Sequence, residues 1–267
     1  MSKSINKSIK ITLVFAGSIV LIISLWLLTS LYLAGQSKSL VFQNQVSWAS
    51  VPNSNSLNYD INWLKTDEKK YFSVWELKNS NTDEYLIYLH GNAGRLLHFF
   101  EPLSTKFNVV SPAYLGYSES EGSPSMETSF EIADRTYKWL VAKGIPESKI
   151  TIFGHSLGGS VASHLASTTP QAKQLVLVNT FSSVQSMCIR QYGALCVFTS
   201  EIFNSLNYAK SFQIPVKHFA YKGDTTVPFE ENKELFKGNS SKNKQFFEME
   251  GFTHSYPDFQ KILTNIN

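Results

Sequence analysis

The chain has 267 residues and a formal net charge of +3, with 43% apolar and 13% aromatic residues. That apolar content excludes a disordered chain, and the length allows one large α/β domain or two small ones. The lysines and arginines are scattered, with no basic stripe interleaved with aromatics, so no nucleic-acid partner is expected.

Residues 1–10 carry Lys3, Lys7 and Lys10, and residues 11–33 follow without a charged side chain. A helix of that length, rising 1.5 Å per residue, spans the roughly 30 Å hydrocarbon core of a bilayer. Trp26 and Tyr32 lie toward its far end, where amphipathic rings favour the interface. Only Lys38 follows closely, so the positive-inside rule places the N-terminus in the cytoplasm and the rest on the non-cytoplasmic side, periplasmic in a bacterium. A cleaved signal peptide is the competing reading. Its apolar region would be only about 7–15 residues, with a small-x-small cleavage site. Leu33-Ala34-Gly35 is a poor site, so residues 11–33 are expected to remain as a membrane anchor. Residues 34–58 are polar, with Ser/Asn runs and Pro52, and are expected to form a stalk before a globular domain of residues 59–267.

From Tyr59 the chain alternates between strand-like and helix-like signals. Residues 60–64 and 71–77 predict a hairpin turning at Thr66-Asp67-Glu68-Lys69. Residues 84–89 form a nearly continuous apolar run, as expected for a strand buried on both faces. A helix over 95–106 and a strand over 108–110 follow. Pro124, after Ser123, is expected at the first position of a helix that continues over 126–143. The strand 150–153 runs directly into Gly154-His155-Ser156-Leu157-Gly158, and a helix over 157–167 begins there. Strands over 175–178, 216–221 and 245–250 and helices over 230–236 and 256–266 complete the pattern. Such alternation implies a mostly parallel sheet, whose ligands bind beyond the carboxyl ends of the strands. His90, Ser156, Asp224 and His254 all fall just after such ends.

A serine in G-x-S-x-G between a strand and a helix has the context of a nucleophile elbow. Serine is a weak nucleophile at neutral pH and needs a base, which in turn needs an orienting acid. In this fold the chain order is Ser, Asp or Glu, then His. Asp224, in Gly223-Asp224-Thr225-Thr226-Val227-Pro228, and His254, after the last strand, supply that order. In isolation each is also an ordinary turn Asp or loop His. The other histidines suit the base role less well: His155 sits inside the elbow, His90 precedes the serine, His98 and His164 fall in predicted helices and His218 in a strand. Acyl transfer also needs an oxyanion hole. The backbone N–H of Leu157 and that of Asn92, in His90-Gly91-Asn92-Ala93-Gly94, are the expected donors. A phosphate-binding reading of that glycine-rich turn lacks G-x-G-x-x-G and G-K-[ST].

Residues 86–94 (LIYLHGNAG), 114–124 (YLGYSESEGSP), 150–159 (ITIFGHSLGG), 175–183 (LVLVNTFSS) and 223–228, with the late His254, resemble the α/β-hydrolase superfamily. The similarity is to N-terminally anchored, single-pass serine hydrolases near the monoacylglycerol-lipase and acyl-thioesterase types, and covers roughly residues 55–267. It implies an eight-stranded, mostly parallel sheet flanked by helices, and no cofactor or metal. It implies hydrolysis of an ester or thioester through an acyl-enzyme, with Ser156 as nucleophile, Asp224 as acid, His254 as base, and Asn92 and Leu157 as oxyanion donors. Two loops depart from the family pattern. Ala113, Leu115 and Ser118 replace the usual Asp, Arg and Gly of the loop after the fourth strand, so a charge network is expected to be missing there. Thr253 stands where a glycine usually precedes the histidine.

An insertion at about residues 180–213 is long enough for a small cap. It is rich in apolar side chains, among them Phe181, Met187, Tyr192, Phe198 and Phe203. These either receive a lipophilic acyl chain or bury themselves against the sheet. The only two cysteines, Cys188 and Cys196, lie in this insertion; they form a disulfide outside the cytoplasm or remain as small buried thiols. The expected partners are a small-molecule acyl ester or lipid substrate and a membrane through residues 11–33. A serine peptidase on the same fold is the alternative enzyme, but a cap that binds an α-amino group needs acids and the insertion holds only Glu201. A catalytically silent membrane-bound binding protein is the third reading, and no member of the triad is missing to favour it.

Overall fold

The apolar runs beyond Tyr59 pair into one eight-stranded sheet of order β1-β2-β4-β3-β5-β6-β7-β8 in the computed structural model. The structure describes residues 2–43, 59–93, 97–199, 202–251 and 254–266, with the side chains of 2–11, 97 and 98 left aside. In chain order the elements are helix α1 (Ser2–Val41), strands β1 (Tyr59–Lys65), β2 (Tyr71–Leu77) and β3 (Tyr85–Leu89), helix α2 (Leu97–Ser104), strand β4 (Asn108–Pro112), helix α3 (Met126–Ala142), strand β5 (Ile150–His155), helix α4 (Leu157–Thr168), strand β6 (Gln174–Val178), helices α5 (Val184–Tyr192) and α6 (Ser205–Ala209), strand β7 (Val216–Tyr221), helix α7 (Phe229–Gly238), strand β8 (Lys244–Met249) and helix α8 (Phe259–Asn265).

Strands β3 to β8 run parallel, and β2 pairs antiparallel with both β1 and β4. The expected edge hairpin is therefore present. Strands β4, β5 and β6 are buried along their whole length, whereas the edge strands β1 and β8 are half exposed. This is why the central strands read as mainly apolar runs: helices cover both faces, and the few polar side chains there, such as Ser111 and Thr151, are buried and hydrogen-bonded. Each fully buried Leu, Ile or Phe of these strands contributes about 1.5–3 kcal/mol.

Three local expectations shift. Helix α3 opens at Met126 with Ser125 as its N-cap, not at Pro124. The Ser125 hydroxyl accepts from the Thr128 N–H at 3.2 Å, and the Thr128 hydroxyl accepts from the Ser125 N–H at 3.0 Å. This reciprocal box satisfies two end groups; a start at Pro124 would put Met126 at the third position, which has no oxygen to complete it. Helix α8 begins at Phe259 behind an Asp258 cap. Pro257 disfavours the helical conformation of Tyr256, so the helix cannot start there.

The third difference is at the N-terminus. The helix expected over 11–33 runs from Ser2 to Val41, taking in residues assigned to the cytoplasmic tail and the stalk. No proline interrupts it, and its later part docks on the domain. Thr29, Ser30, Leu33, Ala34, Ser37, Val41 and Phe42 are its sheltered positions, recurring every three to four residues as one helical face. Phe42 is buried against Phe203, with ring centroids 5.7 Å apart. Before Thr29 the apolar side chains are exposed all round, Leu13, Val14, Leu21, Ile22 and Leu28 among them. The remaining stalk, residues 44–58, lies outside the described residues, as do Gly94, Glu201 and Thr253.

Candidate active site

Ser156 stands at the step from β5 to α4 with φ 55° and ψ −123°, a left-handed conformation that costs a non-glycine residue about 1–3 kcal/mol. Its neighbours show what holds the turn. A Cβ on Gly158 would fall 2.0 Å from the Leu89 carbonyl oxygen, and one on Gly159 would fall 1.8 Å from the Thr180 hydroxyl. A Cβ on Gly154 would lie 2.5 Å from the Gly158 carbonyl oxygen. The glycines therefore let α4 press onto the ends of β3 and β6, and that contact forces the elbow.

The His254 Nε2 atom lies 2.9 Å from Ser156 Oγ, and its Nδ1 atom lies 2.6 Å from Asp224 Oδ2. A carboxylate only accepts, so Nδ1 carries the proton and Nε2 presents a lone pair to the serine hydroxyl. The second Asp224 oxygen, Oδ1, accepts from the Thr226 and Val227 N–H groups at 2.8 and 2.9 Å. This fixes the carboxylate and leaves Oδ2 for the histidine. The Asp224 side chain is fully sheltered from water, so the pair acts at low dielectric.

Four strand ends converge to make this geometry. Ser156 follows β5 and Asp224 follows β7, while His254 comes from the segment after β8. The loop after β3 completes the group: a Cβ on Gly91 would sit 3.4 Å from Ser156 Cβ, so the loop passes directly against the serine. Asn92, Ser156 and Leu157 border one cavity of about 250 Å³. The Asn92 carbonyl accepts from the Tyr117 hydroxyl at 2.7 Å and from the Gln43 N–H at 3.3 Å. Its peptide is thus held from two sides.

His90 is completely buried beneath this loop, and burial lowers its pKa to about 4. Its neutral ring donates from Nδ1 to the Gly91 carbonyl at 2.8 Å, and Nε2 accepts from the Tyr114 N–H at 3.4 Å. His90 therefore shapes the loop, and its one N–H is committed to the Gly91 carbonyl. The loop after β4, which lacks the family's charged residues, is held by hydroxyls instead. The Ser120 hydroxyl donates to the Ala113 carbonyl and accepts from the Ser73 N–H, both at 3.0 Å.

The insertion forms α5, α6 and the turn between them. Its Phe181, Val184, Met187, Cys188 and Tyr192 border the cavity beside Ser156, so this side of the cap faces the site. Other apolar residues follow the second expectation: Phe203 is buried in the core. Cys188 and Cys196 are joined as a disulfide with Cα atoms 5.7 Å apart, and Cys188 is among the cavity residues. The cap is tied to α7 by Glu231. This buried carboxylate accepts from the Ser182 N–H and hydroxyl at 3.0 and 2.5 Å and from the Ser186 hydroxyl at 2.7 Å, and it pairs with Arg190. Burial alone would raise its pKa, but these partners outweigh it and hold the carboxyl below its ordinary value.

Three contributors escape a reading of the sequence. Tyr117 acts through a carbonyl distant in the chain, and no spacing announces it. His155 does not face the serine, yet its Nε2–H donates to the His254 carbonyl at 2.8 Å. Leu33, Ser37, Leu40 and Val41 of α1 also border the cavity. The small hydroxyl residues Ser30 and Ser37, one heptad apart in an apolar helix, are the signal that could have marked a packed face.

A mostly parallel eight-stranded sheet with a serine raised on the elbow after its fifth strand defines an α/β hydrolase. A sequence profile of the α/β-hydrolase fold matches residues 84–192. Protein bem46 of Schizosaccharomyces pombe is 30% identical over 278 aligned residues, covering 96% of this chain and 91% of that protein. The chain belongs to the α/β-hydrolase family. Lysophosphatidylserine lipase ABHD12 of Danio rerio is 29% identical over 61% of this chain, which covers 49% of that longer protein. The Pyrococcus furiosus esterase Pf2001 shares the fold, with a TM-score of 0.63 at 21% identity over 79% of this chain and 89% of that one.

Proposed function

We propose that the chain is a membrane-anchored serine hydrolase of carboxylic esters or thioesters with lipophilic acyl groups. The observation that carries this is the line Asp224–His254–Ser156, with its 2.6 and 2.9 Å contacts, at the base of a largely apolar cavity. The names of two similar proteins, a lysophosphatidylserine lipase and an esterase, agree with it.

Ser156 Oγ attacks the acyl carbon while its proton passes to His254 Nε2. Asp224 orients the ring and stabilises the imidazolium that forms. The carbonyl electron pair moves to oxygen, and the oxyanion is held by the Asn92 and Leu157 N–H groups; one such donor is worth about 10²–10³ in rate. The tetrahedral intermediate collapses, the bond to the alcohol or thiol breaks, and His254 returns its proton to that leaving group. Water, deprotonated by His254, then releases the acid and restores Ser156 Oγ–H.

The exposed apolar girdle of residues 12–28 has its natural solvent in lipid, and the lysines ahead of it support a catalytic domain on the non-cytoplasmic face. The Ser18 and Thr29 hydroxyls donate to the Val14 and Leu25 carbonyls, at 2.9 and 2.8 Å, as a helix in hydrocarbon requires. The test uses the full chain in detergent with a graded series of acyl esters and thioesters. Ser156→Ala and Asp224→Asn each lower turnover by about 10⁴-fold or more, and a fluorophosphonate labels Ser156 in the parent alone. Unchanged turnover in Ser156→Ala overturns the proposal.

A further inference from the structure

Part of the cavity wall belongs to α1, the helix read as the anchor. Leu33 and Leu40 border the same cavity as Met187, Tyr192 and Ser156. The contact between helix and cap begins further back, where Trp26 meets Phe198 with ring centroids 6.3 Å apart. Trp26 is seven residues before the end of the apolar run, which is about 10 Å along a helix. The cap therefore stands beside the last two turns of the apolar span, at the depth of the boundary between headgroups and acyl chains.

The outer face of the cap suits that position. Ile189, Tyr192, Val197 and Phe198 are each 44–48% exposed, a cluster of large apolar side chains that water would penalise. Through Phe198 and Trp26 it is continuous with the exposed girdle of α1. Both surfaces adjoin the cavity, which Leu33 of α1 and Tyr192 of the cap border.

We infer that α1 is a wall of the acyl site as well as a tether, and that the cap rim lies in the bilayer interface, so that a single-chain lipid ester reaches Ser156 laterally from the membrane. This rests on the function proposed above. It makes Leu33 and Leu40 determinants of chain length, and Val197 and Phe198 determinants of access.

The full chain is reconstituted in phosphatidylcholine vesicles and assayed with a hexadecanoyl glycerol ester in the bilayer and with p-nitrophenyl acetate in water. Val197→Glu/Phe198→Glu lowers turnover of the bilayer ester at least tenfold and leaves the acetate within twofold. Leu33→Trp lowers the ratio of hexadecanoyl to butanoyl ester turnover at least tenfold. In vesicles of dibrominated phosphatidylcholine, the tryptophan introduced by Phe198→Trp adds emission that the bromines quench. Equal loss of both esters with an unchanged thermal midpoint, or an unquenched added tryptophan, overturns lateral access. The quenching needs no catalysis, so it separates failure of this inference from failure of the hydrolase reading, which appears as acetate turnover indifferent to Ser156→Ala.

Discussion

The imidazole of His155 donates a hydrogen bond to the main-chain carbonyl of His254, with Nε2 2.8 Å from the oxygen. The residue before the candidate nucleophile thus holds the backbone of the candidate base. The Phe99 ring packs against the imidazole, with centroids 5.0 Å apart. Replacing His155 by Phe keeps the ring packing and removes the donor. One hydrogen bond of about 1 kcal/mol converts to a fall in kcat of about 5–10-fold, with KM nearly unchanged because no substrate contact is lost. His155→Gln, which restores a donor, recovers part of kcat. Equal changes in kcat and KM would assign His155 a different role.

Glycines around the elbow differ sharply in what they tolerate. Gly158→Ala drives a Cβ to 2.0 Å from the Leu89 oxygen, whereas Gly223 has no atom within 4 Å of where its Cβ would stand. Gly158→Ala is expected to lose the folded protein or at least about 3 kcal/mol of stability, a severe steric case. Gly223→Ala, one residue from Asp224, is expected to stay within about 0.5 kcal/mol. Thermal midpoints and soluble yield of the two variants decide this, and equal midpoints would mean that α4 does not press on β3 as described.

The disulfide closes a short loop, with Cys188 and Cys196 eight positions apart. Constraining the unfolded chain over so short a loop stabilises by about 2–3 kcal/mol in the chain-entropy account. The Cys188→Ser/Cys196→Ser variant is expected to melt about 5–10 °C lower. Reductant lowers the parent's midpoint similarly and leaves that of the variant unmoved. A reductant-insensitive parent would mean that the two sulfurs are not bonded.

Two buried histidines make stability depend on pH. His218 lies in β7 between Phe236 and Phe246, neither ring nitrogen has a partner among the described residues, and burial lowers its pKa to about 3. His90 is lowered to about 4 for the same reason. Unfolded, both take a proton near pH 6.5, so between that pH and the folded values the unfolded chain binds more protons. Stability is therefore fullest above pH 6.5 and declines as pH falls toward 4. Between pH 7 and 5 each histidine removes about 2 kcal/mol. His218→Phe replaces an unsatisfied polar ring by an apolar one among aromatics, which raises stability by about 1 kcal/mol at pH 7 and weakens the pH slope. Denaturation at pH 7 and 5 measures both, and an unchanged slope in His218→Phe removes this explanation.

How much of this was legible beforehand depends on distance along the chain. Strands β3, β5 and β6, the elbow and the helix after it were readable because their causes are local: apolar runs, glycines and a hydroxyl within a few residues. Ser156, Asp224, His254, Asn92 and Leu157 were named from motif and order; the folded chain brings the first three into one hydrogen-bonded line and sets Asn92, Ser156 and Leu157 at one cavity. The cap's division of labour was not readable. Met187 and Phe203 look alike in sequence, yet one borders the cavity and the other is buried in the core. The loop after β4 was expected to lack a charge network, but nothing in its residues told that Ser120 and Tyr117 would bridge to partners far away in the chain.

The sequence by itself determined the fold class, the apolar N-terminal span and the order of the chemical groups, since each is written in a local period or a short motif. Only the tertiary structure decided how far α1 extends and what its last turns touch. A stalk of Gln, Ser and Lys has no strong local preference, so docking of Leu33, Ser37, Val41 and Phe42 on the domain settles it as helix. The same docking sets one wall of the cavity, because burial of an apolar face depends on what the rest of the chain brings against it.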